Sequence, residues 1–422
     1  MNSISAIMKT FRHYYPQIRI IIPMMLIVFV LSQCMNETQQ PEQTIAESPP
    51  EPELAGSESC RSCHRDIYDD HIHTAHFLTS DTANAGSVMG SFKPGQNTYS
   101  FNKSVVVAME KKGDSLYQTE YFRDTLKKSF RFDIVIGSGA MGQSFLTWRD
   151  QRLFQLPITY FSAAKRWSNS PGFPDKVVFN RGITSRCLEC HTSYAKTIST
   201  PDIDPETFDP AKIVYRIGCE KCHGSGVKHV AFHQANSKDS SAKFIVNPAH
   251  FTRQQNLDLC ALCHGGRLEK TRPSFSFQPG DQLADFFRVD TLPPDPARVD
   301  VHGNQYGLLR SSKCFLQSET MTCGSCHDPH KKQRSQMAMF SKTCISCHND
   351  ANEKHCPLQK TIGPSIESNC VDCHMPLKES RAIAVLLPGR ISPLAAKIRS
   401  HLIAIYPDET QKVMTMMKGM TK

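Results

Sequence analysis

The chain has 422 residues, of which 39% are hydrophobic and 26 are proline, so its length allows two or three domains while its composition limits regular structure. The formal net charge of +9 is spread along the chain without a Lys/Arg run of the kind that binds nucleic acid. We therefore expect no nucleic acid among its partners. The unusual feature is the set of 17 cysteines, whose spacing guides the rest of the interpretation.

The N-terminal residues have the layout of an export signal. Lys9, Arg12 and Arg19 precede an apolar segment, Ile20 to Leu31, that is too short to span a bilayer comfortably. We predict a signal peptide over residues 1–33. An uncleaved membrane anchor is the alternative, because the positively charged region before the apolar segment is long.

Cys34 follows a segment that resembles a lipoprotein cleavage site, in which the cysteine after the cut carries the lipid. Gln33 differs from the Gly, Ala or Ser that is usual before the cut, and a spare thiol in a discarded signal is the alternative. The residues that follow are rich in Gln, Glu, Pro and Ser and lack apolar periodicity. We predict a disordered tether over 34–58 that holds the folded part on the periplasmic side of a membrane through a lipid on Cys34.

The pattern Cys-x-x-Cys-His occurs seven times and accounts for 14 of the 17 cysteines. Two thiols at this spacing can add to the two vinyl groups of one haem, while the next imidazole binds the iron. A zinc knuckle or a thioredoxin-like pair needs no histidine at that position, so we predict seven covalently bound haem c groups. In chain order, motifs 1 to 7 are Cys60/Cys63/His64, Cys187/Cys190/His191, Cys219/Cys222/His223, Cys260/Cys263/His264, Cys323/Cys326/His327, Cys344/Cys347/His348 and Cys370/Cys373/His374.

A long segment between motifs 1 and 2 has the alternation of β-strands. Side chains alternate in character from Tyr117 to Tyr121, from Phe130 to Ile136 and from Phe154 to Tyr160. Pro157 favours an edge strand for the last of these, because proline cannot donate to a strand ladder. We predict a first region, 59–186, that holds motif 1 and a small antiparallel β insertion.

The segment from Gly137 to Gly142 (GSGAMG) matches the dinucleotide-binding fingerprint G-x-G-x-x-G. A Rossmann site needs a helix after the glycines and an acidic residue about twenty positions further on. Here another strand pattern follows, and no Asp or Glu lies between Gln151 and Ser170. We therefore predict a glycine-rich β turn rather than a nucleotide site.

Motifs 2 to 7 lie within residues 187–374, where we predict short helices joined by loops rich in Pro, Gly and Asn. Porphyrin surface can replace a large side-chain core, so we expect a six-haem domain over 187–403 and a C-terminal tail over 404–422. The expected fold class is mixed with low regular secondary structure. It is a multihaem cytochrome c with short helices wrapped around haems and a small antiparallel β insertion.

Two cysteines, Cys314 and Cys356, remain when the motif cysteines and Cys34 are set aside. In an oxidising compartment two remaining thiols pair more often than they stay free. We predict a disulfide between them, with two buried, unpaired thiols as the alternative.

The order of several short motifs resembles that of cytochrome c-554-like multihaem proteins, over roughly residues 56–405. The matching segments are Gly56–Cys60, Ile67–Tyr68, Thr74–His76, Ile136–Gly139, Arg166–Gly172, Cys326–His330 and Cys373–Pro376. The sequence departs from this pattern at His71, where many such proteins have Trp. His71, His73 and His76 therefore compete as ligands in this region.

The resemblance implies distal ligands for the irons. Each candidate is a haem ligand or, alternatively, a surface or propionate-bonding histidine. His76, His229 and His330 match the family pattern, His302, His355 and His401 match it less strictly, and His250 is chosen from its position.

The distal ligand separates electron transfer from catalysis, because histidine on both faces closes an iron to substrates. Of 18 histidines, seven are proximal and His13 lies in the signal, which leaves ten for seven distal positions. We expect an exported heptahaem cytochrome that carries electrons between redox partners, such as other cytochromes or a respiratory complex. The alternatives are an oxidoreductase that acts on a small nitrogen or sulfur compound at one open haem, and a structural subunit of a respiratory assembly.

Overall fold

The computed structural model describes residues 51–199, 205–289, 294–349 and 356–420. The predicted signal peptide, Cys34, the tether as far as residue 50, and His355 lie outside these described residues. The described residues belong to one unit, Pro49–Lys422. Within the described ranges, none of the helices combines the length and the apolar character that a membrane span requires.

Helices are short, and strands dominate the segment between motifs 1 and 2. The helices are α1 (Ser57–Arg61), α2 (Arg65–His71), α3 (Ser185–Glu189), α4 (Glu220–His223), α5 (Val227–Ala235), α6 (Arg253–His264), α7 (Gln305–Arg310), α8 (Lys313–Gln317), α9 (Met337–Ile345), α10 (Gln359–Ile362), α11 (Cys370–His374) and α12 (Pro407–Met420). The strands are β1 (Ser80–Thr82), β2 (Thr98–Ser100), β3 (Val105–Lys112), β4 (Ser115–Phe122), β5 (Thr125–Arg131), β6 (Ile134–Ile136), β7 (Gly142–Arg149), β8 (Arg152–Gln155), β9 (Ile158–Phe161), β10 (Arg166–Asn169), β11 (Arg181–Gly182), β12 (Thr192–Thr197), β13 (Phe208–Tyr215), β14 (Glu269–Lys270), β15 (Phe287–Arg288), β16 (Leu377–Val385) and β17 (Leu394–Arg399).

A four-stranded antiparallel sheet is built in the order β2-β3-β4-β5. Lys112 pairs with Ser115, so only two residues connect β3 to β4. Gly113 occupies this turn at φ 61°, which a glycine adopts without strain and which matches the twist of the two strands. The chain therefore reverses direction within two residues between β3 and β4.

A second antiparallel sheet has seven strands and follows the path β1-β6-β7-β8-β11, with β9 paired to β7 and β10. The mixed fold with antiparallel sheets is confirmed, but the β insertion is larger than the small sheet we predicted. Pro157 lies between β8 and β9 rather than inside one edge strand, because its missing amide interrupts the ladder. The glycine segment from Gly137 connects β6 to β7, as a β turn would.

The two sheets share a conventional side-chain core. Met109 and Leu116 of the first sheet pack with Phe145 and Trp167 of the second. Gln118 joins the sheets by hydrogen bonds, since its Nε2 donates to the carbonyl of Ile158 at 2.7 Å and its Oε1 accepts from the same residue's amide at 3.0 Å. The β insertion therefore has its own apolar core.

Two side-chain clusters cross the predicted boundary between the first region, 59–186, and the six-haem domain, 187–403. Leu188 and Phe208 pack with Leu153 of β8, and Val385 of β16 packs with Phe161 of β9. The hairpin β16–β17 was not predicted, because its outward residues obscure any alternation in the sequence. The domain boundaries themselves stay a prediction.

Candidate haem sites

A single cavity of 3640 Å³ is lined by residues from all seven motifs. Pockets for one small ligand measure about 300–1,000 Å³, so this cavity is several times larger. Apolar side chains that line it are open to solvent, including Ile67 at 49%, Leu377 at 53% and Ile405 at 79% exposure. Flat apolar porphyrins would cover this surface, and the lining therefore fits several haem groups.

Each motif places its side chains on one turn of helix or a similar turn. The histidine amide donates to the carbonyl of the motif's first cysteine at 2.9 Å in motif 1, 3.0 Å in motifs 3 and 5, and 2.9 Å in motif 6. Positions three and four apart share one face of such a turn, so both thiols and the imidazole point the same way. Motif 4 ends α6, and motif 7 forms α11.

Four motif histidines face a second histidine from a distant part of the chain. Since a metal–imidazole bond measures about 2 Å and the bound nitrogen lies about 1 Å from the ring centre, two imidazoles on opposite sides of one iron have centres roughly 6 Å apart. Ring centres are separated by 6.4 Å in His64–His229, 6.1 Å in His76–His264, 6.1 Å in His223–His330 and 6.1 Å in His327–His401. These four pairs have the spacing that an iron between them requires.

Backbone carbonyls orient several of these imidazoles. Because a carbonyl only accepts, each bonded Nδ1 must donate, which leaves the lone pair of Nε2 for a metal. The contacts are His223 Nδ1 to Val246 O at 2.9 Å, His229 Nδ1 to Lys243 O at 2.7 Å, and His374 Nδ1 to Ala404 O at 2.9 Å. Sequence reasoning missed these partners, since a backbone carbonyl carries no side-chain signal.

Desolvation favours the neutral form of two of the facing histidines. It lowers the pKa of His76, which lines the shared cavity, to about 4, with a further contribution from neighbouring His264. Burial likewise lowers the pKa of His401 to about 4, and His327 adds to the effect. A neutral imidazole retains the lone pair that binds iron, so these sites are prepared for a metal at neutral pH.

Comparison with known proteins gives a family match for part of these sites. Residues 165–224, which contain motifs 2 and 3, match the family described as cytochrome c554 and c-prime. Over these residues the chain is similar to that family. The resemblance seen in the sequence is confirmed there, and it supports an electron-transfer cytochrome with covalently bound haem c.

A solved structure, the outer cell wall cytochrome OcwA, resembles this cytochrome in fold. The two chains share 15% sequence identity and superpose with a TM-score of 0.52, over 85% of this chain and 81% of that chain. No curated protein matches the chain.

The remaining candidate ligands of the cytochrome differ in their surroundings. His302 lies close enough to His191 to contribute, after burial, to the lowering of the His191 pKa to about 4. His250 is exposed at the end of a short turn, and no ring contact joins it to a motif histidine in the described part of the chain. His233 was not predicted: its ring centre lies 4.5 Å from that of His229, and its Nε2 is buried without a partner.

The motifs touch one another through their cysteines, whose thiols stand where the thioether sulfurs of attached haems would be. Thiols of motifs 1 and 3, 2 and 4, 4 and 5, and 6 and 7 lie close enough to shift each other's pKa. These pairs are Cys60–Cys219, Cys190–Cys263, Cys260–Cys323 and Cys344–Cys370. Groups attached at these motifs would therefore lie near one another.

The predicted disulfide between Cys314 and Cys356 is wrong, because both residues are free thiols. Cys314 lies near Cys326 and Cys347. Burial is the main cause that raises the pKa of Cys326, and the negative charge of a Cys314 thiolate raises it further. Cys356 lies near Cys373 of motif 7 instead. Each thiol thus lies beside cysteines of different motifs.

Proposed function

We propose that this cytochrome is an exported electron carrier that holds seven covalently bound haems and passes electrons between redox partner proteins of a respiratory chain. The observation that carries the proposal is the pairing of motif histidines with distant histidines at about 6 Å across one shared cavity. Two imidazoles on one iron close it to substrates, which favours electron transfer over catalysis.

When bound, haem c supplies one-electron chemistry between ferric and ferrous iron. The chain supplies everything that tunes this chemistry. The paired imidazoles hold the metal, carbonyls such as Val246 O fix the ring that binds it, and the apolar lining excludes water. Contacts between cysteines of different motifs support short separations between neighbouring groups.

We also propose that a signal peptide directs the chain out of the cytoplasm and that a lipid on Cys34 holds it at the periplasmic side of a membrane. The apolar segment before Cys34 and the polar tether after it support this location. Metabolic labelling with a fatty acid tests it: label is expected in the natural chain and absent from C34A. Equal labelling of both proteins would contradict the anchor.

Two measurements on the purified ferric protein test the carrier proposal. Mass spectrometry is expected to show seven covalently added haems, and fewer would contradict the haem count. EPR and magnetic circular dichroism are expected to show low-spin iron with two histidine ligands at every site. A stoichiometric high-spin haem would instead favour an oxidoreductase with one open iron.

A further inference from the structure

His71 ends α2 and is buried, with one ring nitrogen that has no partner. Its Nε2 lies 3.0 Å from the carbonyl of Ile217, while its Nδ1 is shielded from solvent and makes no hydrogen bond. Because the carbonyl only accepts, Nε2 must carry the hydrogen, and the neutral ring then has its lone pair on Nδ1. A buried acceptor without a donor costs free energy, so the unpaired Nδ1 of His71 needs an explanation.

The surroundings of His71 belong to motif 3. Its ring centre lies 6.2 Å from that of His330, at an interplanar angle of 66°. His330 in turn stacks at 6.1 Å and 21° on His223, the proximal histidine of motif 3. Ile217, which receives the Nε2 hydrogen bond, lies just before Cys219 of the same motif. His71 therefore contacts both the backbone and the distal histidine of this site.

The hydrogen bonding of His71 is that of a metal ligand with the two nitrogens exchanged. In His223 and His374 one ring nitrogen, Nδ1, donates to a backbone carbonyl and the other is left for iron. In His71 the donor is Nε2, so the nitrogen left over is Nδ1.

His330 is held less firmly than His71. Its Nδ1 is 3.3 Å from Asp328 Oδ1, and the two side chains are 39% and 37% exposed. A long contact near solvent constrains a ring weakly, because water competes for both partners. Departure of His330 would leave His71 as the buried histidine next to the vacated position.

We propose that His71 is a reserve axial ligand for the iron of motif 3, which binds through Nδ1 when His330 leaves. The exchange breaks one iron–imidazole bond and forms another between neutral ligands, so it needs no electron or proton. This inference rests on the proposed function, since it requires a haem with two histidine ligands at motif 3.

Ferric EPR and magnetic circular dichroism of three variants test the inference: H330A, H330A/H71A and the matched control H330A/H73A. His73 is exposed and lies two residues beyond His71. All irons are expected to stay low-spin in H330A and in the control, whereas one haem in seven becomes high-spin in H330A/H71A. If H330A does not accumulate with its full haem content, H330Q replaces H330A in all three proteins of the comparison.

A high-spin haem in H330A alone would overturn the inference, and so would low-spin iron throughout H330A/H71A. A failure of the proposed function would give a different result from a failure of this inference. It would appear in the natural protein as fewer than seven haems by mass spectrometry or as a high-spin haem before any substitution.

Discussion

Glu220, inside motif 3, ties the segment before motif 1 to the body of the protein. Its carboxylate accepts from the amides of Ala55 at 2.8 Å, Gly56 at 2.9 Å and Gly226 at 2.8 Å. In E220A a methyl group replaces the carboxylate, and the three amide donors lose this acceptor. E220A therefore removes a contact that brings motif 1 against motif 3.

The expected magnitude follows from these three bonds. A hydrogen bond to a charged group contributes about 1.5–3 kcal/mol, and the partly buried position favours the lower part of that range because water can replace some of the loss. For three such bonds we expect E220A to lower the free energy of unfolding by about 4–5 kcal/mol. E220Q should lose less, since two of the three amides bond the same oxygen, Oε1, which an amide side chain retains.

Guanidinium unfolding, followed by circular dichroism on proteins with equal haem content, measures the difference. E269A is the matched control, because Glu269 pairs with Arg288 at the surface with both side chains more than half exposed. That control is expected to change the free energy of unfolding by less than about 1 kcal/mol. An E220A protein as stable as E269A would refute the reasoning.

Three further outcomes follow from the same structure. H401A removes the ring that faces His327, so the EPR spectrum is expected to gain one high-spin haem in seven. Q118A leaves the amide and the carbonyl of Ile158 unpaired in the core, and the free energy of unfolding should fall by about 2–4 kcal/mol. Desolvation lowers the pKa of His76 to about 4 and iron would bind only its neutral ring, so the unfolded chain binds more protons below pH 6.5, and the free energy of unfolding should decrease as the pH falls from about 6.5 to about 4.

Each of these outcomes has a control. H73A changes an exposed histidine outside the seven predicted distal ligands and should leave all irons low-spin, whereas a low-spin H401A protein would contradict the assigned pair. K128A lies on the exposed face of β5, and Q118A should be clearly less stable than it. Guanidinium unfolding at pH 5 and pH 7.5 checks the third outcome, and equal stability at the two values would contradict it.

The β insertion was partly visible in the sequence. Alternation from Tyr117 to Tyr121 predicts β4, although in the structure the neighbours Gln118 and Thr119 are both buried and the two tyrosines are half-buried. β10 carries the pattern of a strand buried on both faces, which has no alternation to detect, and β1 is too short to show any. The second sheet therefore has more strands than the sequence predicted.

The sequence by itself determined the candidate attachment motifs and their proximal histidines, because five consecutive residues on one turn contain the whole signal. Only the tertiary structure decided which histidines face each other, as in His76 with His264, since those partners come from distant segments. It also decided that Cys314 and Cys356 are free thiols and that backbone carbonyls orient the rings. Long-range packing sets these contacts, and no local pattern of side chains encodes them.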